Sequence, residues 1–132
     1  MSEPTFKKLA ESELDADQLK VYLELMAGPR GGVRGPFNAL LRSPVLADRV
    51  QKLGEFLRFD SSISARLNEF AILITARHWN AQYEWFAHYP HARKGGLKPE
   101  IAAALAQGTR PAHIPDDGVK VSDFCKEAHG DN

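Results

Sequence analysis

From Asp15 onward the apolar positions fall three and four residues apart, and stop signals cut them into helix-length segments. Asp15 and Gln18 form a capping pair ahead of an apolar stripe of Leu19, Tyr22, Leu23 and Met26, which Gly28 and Pro29 end. Residues 28–36, GPRGGVRGP, hold four glycines and two prolines, so no helix runs through them. Ser43-Pro44 reads as a cap followed by a first-turn proline, and Leu46, Val50, Leu53 and Leu57 then recur at helical spacing with Phe56 beside them. The segment from Asp60 to Ser62 offers the next cap. Beyond it Ile63, Leu67, Phe70 and Ile74 form a stripe, while Ala71, Ile72, Leu73 and Ala76 fill the other faces, which predicts a central helix buried on most sides.

That apolar character ends at Arg77-His78-Trp79-Asn80. Asn80 is placed to cap a helix carrying Glu84 and His88, and Pro90 predicts a kink or restart near His88 before Gly95 and Gly96 close the segment. Pro99 and Gly108 bracket a short helix with Ile101, Ala104 and Leu105. After His113-Ile114-Pro115 a last helix carries Val121, Phe124, Cys125 and Ala128. No strand-like alternation or internal repeat interrupts this pattern, which predicts an all-α fold of about six helices.

Composition narrows the function classes. A chain of 132 residues has room for one domain, taken as 1–132, and not for two. Seventeen Lys+Arg balance seventeen Asp+Glu, which gives no support for a nucleic-acid surface. No apolar run reaches the ~18 residues that span a bilayer, and MSEPTFKKLAESELD lacks the apolar centre of a signal peptide, so a cytoplasmic protein without membrane partners is expected. One cysteine, Cys125, excludes an internal disulfide and any CxxC pair. Six short helices bury a modest core, and the apolar run over 63–76 needs more cover than they supply. Neighbouring subunits are expected to provide it.

The candidate chemistry lies in residues 68–97, NEFAILITARHWNAQYEWFAHYPHARKGGL. Glu69 heads the apolar helix, where burial would hold it ready as a proton donor or shuttle. Its other reading is a first-turn carboxylate paired with the positive helix end or with Arg66. Glu84 and His88 stand four apart, so their side chains can meet. A carboxylate on one imidazole nitrogen fixes the tautomer and leaves the other nitrogen for proton transfer. An exposed helical ion pair is the alternative. Arg77 and His78 either cap the helix end electrostatically or bind a substrate carboxylate. Arg30 and Arg34, in the glycine-rich loop, are anion candidates or solvated cations. Trp79, Tyr83, Trp85 and Phe86 read as core or subunit interface. A metal site from Glu84, His88 and His91 lacks a recognisable ligand spacing, so none is expected. Cys125, on an apolar helix face, reads as a small buried residue.

These residues carry a resemblance. The glutamate opening a buried helix, followed by His88, Ala92, Gly96 and Leu97 in HYPHARKGGL, is similar to the H-x-x-x-A-x-x-x-G-L ending of the carboxymuconolactone decarboxylase and alkyl hydroperoxidase D superfamily. The wider chain, over roughly residues 5–129 with a core motif at 64–108, resembles its cysteine-free members. The peroxidase branch carries C-x-x-C-x-x-x-H, but here its cysteine positions hold Ala81 and Glu84, so that thiol cycle is closed. The decarboxylase branch looks like E-x-x-x-H, as in Glu84-Trp-Phe-Ala-His88. Longer relatives carry further helices beyond the equivalent of Asn132.

The resemblance implies an alkyl hydroperoxidase D-like orthogonal helical bundle that assembles as a trimer or hexamer with pockets at subunit interfaces. It also implies cofactor-free decarboxylation of a small carboxylate such as carboxymuconolactone. His88 would then be the proton donor, Glu84 its orienting partner and Glu69 a proton shuttle, with Arg77, His78 or Arg34 holding carboxylates. A different small-acid enzyme on the same scaffold, or a non-catalytic binding oligomer, are the competing readings. A thiol peroxidase built on Cys125 alone ranks last.

Overall fold

A computed structural model describes residues 3–130. Seven α-helices occupy them, and among the described residues there is no strand. The helices are α1 (Ala16–Ala27), α2 (Phe37–Leu40), α3 (Pro44–Glu55), α4 (Ala65–His78), α5 (Gln82–Lys94), α6 (Pro99–Ala106) and α7 (Asp116–His129). The all-α expectation holds. The chain divides into two compact units, one up to Asp60 and one from Ser61.

In the first unit the predicted capping box closes as read. The Asp15 carboxylate accepts from the Gln18 amide at 2.8 Å, and the Gln18 side chain accepts from the Asp15 amide at 3.0 Å. Val21 and Leu25 of α1 then pack with Phe37, Leu41 and Ala47. Gln51 is buried but satisfied, donating to Glu24 at 2.7 Å and to Asp48 at 3.2 Å. The leucine stripe of α3 behaves otherwise than its periodicity suggests. Leu46, Leu53 and Leu57 are about half exposed, and the helix gives way at Phe56–Asp60 to a π-helical turn that shows Phe56 and Phe59 to solvent. In this unit α3 and the turn after it leave apolar surface uncovered, as do Leu23 and Met26 of α1.

In the second unit α4 is capped by Ser64, whose hydroxyl accepts from the Leu67 amide, and not within 60–62. This later start leaves Ile63 outside the helix and exposed. The buried face is Glu69, Phe70, Leu73 and Ala76; of the predicted stripe Phe70 is buried, Leu67 and Ile74 are partly buried and Ile63 is exposed. Its cover comes from within the unit: Ala92 of α5, Leu97, and Ile101, Ala102 and Leu105 of α6, with Trp85, Ile114 and Val121 packed alongside. Helix α5 begins at Gln82, after Asn80 adopts a left-handed φ of 51°, and runs unbroken through Pro90. Pro90 and Phe86, four residues earlier, are both exposed, so water can satisfy the Phe86 carbonyl that loses its helical donor.

Candidate functional site

Helix geometry brings the candidate acid–base residues together. On α4 the positions of Glu69, Leu73 and Ala76 share one face, so Glu69 is carried into the core with its apolar neighbours. On α5 the same rule aligns Glu84, Trp85, His88 and Ala92, while Tyr83 and Phe86 face away and are exposed. Packing α5 on α4 then sets His88 Nδ1 2.7 Å from Glu69 Oε2. The Glu69 side chain is buried at 7% exposure and that of His88 is mostly covered at 15%. On the other ring nitrogen, Nε2, Glu84 Oε2 stands at 3.5 Å, on a side chain that is 45% exposed.

The order of these partners differs from the sequence reading. The short, buried hydrogen bond is to Glu69, and Glu84 makes the longer, wetter contact. A carboxylate that accepts this bond takes it from a proton on Nδ1, the tautomer that leaves Nε2 for transfer. His91, three residues on along α5, stands with its ring centre 6.1 Å from that of His88. Among the described residues no group of three His, Cys, Asp or Glu is placed to hold a metal ion.

Arg77 and His78 are not part of this cluster. His78 lies nine residues beyond Glu69, two and a half helical turns, so it projects from the opposite side of α4 about 13 Å further along the axis. Its ring stacks on His129 of α7, with centres 4.4 Å apart and planes 17° from parallel, and meets Trp79 edge-on at 4.9 Å. Arg77 Nε donates to the Ala106 carbonyl at 3.2 Å. Two cavities open at this end of α4. One, of about 330 Å³, is lined by Arg77, Asn80, Gln82 and Trp85. The other, of about 310 Å³, is lined by Arg77, His78, Arg110, Lys126 and His129. Neither is lined by Glu69, Glu84 or His88.

The sequence reading did not join Arg110, Lys126 and His129 to Arg77. Lys126 and His129 stand three apart on the face that buries Ser122 and Cys125, a signal that was readable. The contact with Arg110 depends on the fold.

Arg34 belongs to the first unit, where it is exposed and lies near Gly32. In the same unit Arg30 stacks over Phe37 at 5.0 Å, occupying space that a side chain at Gly54 would fill. Burial first, then the like charge of Arg58, lower the Arg30 pKa from its ordinary value.

Cys125 is buried on α7, and burial pushes its thiol pKa up. The thiolate is the reactive form. Cys125 is therefore expected to react with a disulfide reagent such as dithionitrobenzoate far more slowly than free cysteine at neutral pH, and at the free rate once urea unfolds the chain. A free rate in the native protein would contradict the burial.

Compared with models of known families, with curated proteins and with solved structures, the chain matches none. Among the described residues no helix is long and apolar enough to cross a membrane.

Proposed function

We propose that this chain is a cofactor-independent decarboxylase of a small lactone or carbonyl acid, of the carboxymuconolactone decarboxylase type, with His88 as its acid–base residue. The observation that carries this reading is the His88 imidazole held between two carboxylates, buried Glu69 at 2.7 Å and half-exposed Glu84 at 3.5 Å. A surface ion pair would not bury its glutamate in the face that forms the core.

In carboxymuconolactone a carboxylate adjoins an unsaturated lactone. When the bond to that carboxylate breaks, carbon dioxide leaves and the electron pair stays in the ring as a dienolate. A proton from His88 Nε2 then closes the reaction at carbon. Glu69 holds the ring through Nδ1 and stabilises the imidazolium, while Glu84 returns a proton from solvent to Nε2. The two glutamates thus exchange the roles that spacing alone suggested. Half-exposed Leu46, Leu53 and Leu57 and the more exposed rings of Trp79 and Phe86 support a homo-oligomer. That it is a trimer or hexamer working in the cytoplasm is part of the proposal.

The test is the absorbance loss of carboxymuconolactone on adding the protein. Wild-type chain is expected to accelerate decarboxylation over buffer. Glu84→Gln is expected to be slower by about tenfold, because water can replace an exposed proton carrier in part. A wild-type rate equal to buffer would remove this substrate and, with it, the decarboxylase reading.

A further inference from the structure

The cavity of about 310 Å³ between α4, α7 and the segment after α6 has no part in the chemistry above. Its size falls at the lower end of small-molecule sites, roughly 300–1,000 Å³. Its cations come from three directions: Arg77 from α4, Lys126 from α7, and Arg110 from the segment between α6 and α7. Asp123 holds Arg110 at 2.8 Å, but among the described residues neither Arg77 nor Lys126 is in an ion pair. The residues lining the cavity include these three cations and no carboxylate, although the whole chain is neutral.

Arg77 is also fixed in place. Its Nε donates to the Ala106 carbonyl at 3.2 Å. Its Nη2 lies where a Cβ on Gly108 would come within 2.9 Å, so the glycine there, at φ +74°, leaves room for the guanidinium. A guanidinium held by Nε keeps its terminal nitrogens for a ligand. Beside these cations, Ile74, Leu105 and Pro111 line the cavity with apolar surface.

We propose that this cavity binds a small phosphate monoester, separately from the Glu69–His88 centre. A carboxylate is satisfied in one plane by a single guanidinium fork. A phosphate presents three terminal oxygens and suits donors that converge from three elements. The apolar wall takes the organic part of the ester.

The experiment is isothermal titration of the 132-residue chain with phenyl phosphate, with inorganic phosphate and benzoate run in parallel. Saturable one-site binding of phenyl phosphate is expected, tighter than that of either companion. Arg77→Ala and Lys126→Ala are each expected to weaken it about tenfold or more, the scale of a charge-assisted hydrogen bond. Gly108→Ala is expected to weaken it by displacing Arg77. Thermal melts followed by circular dichroism show which variants stay folded. If Arg77→Ala does not, Arg77→Lys, which keeps the charge and loses the fork, is expected to bind more weakly than wild type. Absence of saturable binding, benzoate or inorganic phosphate bound as tightly as the ester, or indifference to the Arg77 and Lys126 substitutions would overturn the proposal. The readout does not involve turnover, so failure here and failure of the decarboxylase reading are seen separately.

Discussion

Replacing His88 by alanine is expected to lower the turnover of carboxymuconolactone by about 10²- to 10⁴-fold, the range of a positioned general acid or base. The substitution removes both Nε2, the proposed proton donor, and the group that satisfies buried Glu69. Glu69→Gln separates these effects. It keeps the shape of the side chain and a hydrogen-bonding oxygen but loses the charge that favours the imidazolium. It is therefore expected to reduce kcat strongly, toward the His88→Ala level, with KM little changed, because Glu69 lies behind the ring and not against substrate. A Glu69→Gln protein that is folded and keeps wild-type kcat would deny Glu69 its role.

The second large effect concerns stability. Phe70 is 1% exposed and lies in the core cluster with Leu73, Ala92 and Leu97. Its ring also lies 3.7 Å from where a side chain on Gly118 of α7 would begin, so it fills the space between α4 and α7. Phe70→Ala is expected to cost about 3–5 kcal/mol, the lost transfer energy plus the cavity left behind. That is a large share of the roughly 5–15 kcal/mol by which domains are stable. Urea denaturation would show it as a large fall in midpoint at unchanged slope. A loss below about 1 kcal/mol would mean that the ring is not packed as described.

The reach of the sequence follows from which forces are local. The capping box at Asp15 and Gln18, the first-turn proline of α3 and the glycines closing α5 act within a few residues, and all were legible. The pairing of Glu84 with His88 was legible for the same reason, since i and i+4 meet on any helix. The dominance of Glu69 over Glu84 was not. It depends on how α5 packs on α4, and the apolar run over 63–76 offered several stripes of similar strength. With apolar residues on every face, periodicity leaves open whether Glu69 is buried or paired at the helix start, and the packing of α5 on α4 decides for burial. The stripe of Leu46, Leu53 and Leu57 is legible as an apolar face, but periodicity does not report what covers it, and about half of each side chain is exposed. Pro90 was read as a break because its exposure, which lets water serve the freed carbonyl, is a tertiary property. Whether Arg77 and His78 serve the helix end or a carboxylate is not decided by their place in the chain, and half a helical rotation separates His78 from Glu69.

The most direct test of the Glu69–His88 unit is a ¹⁵N-edited NMR spectrum of the histidine side chains, recorded on the wild-type chain and on Glu69→Gln near neutral pH. A proton on His88 Nδ1, shielded from solvent exchange in the wild type and exposed to exchange or shifted in Glu69→Gln, is the expected result. A His88 ring protonated on Nε2 alone, or a spectrum indifferent to the loss of the Glu69 carboxylate, would contradict it.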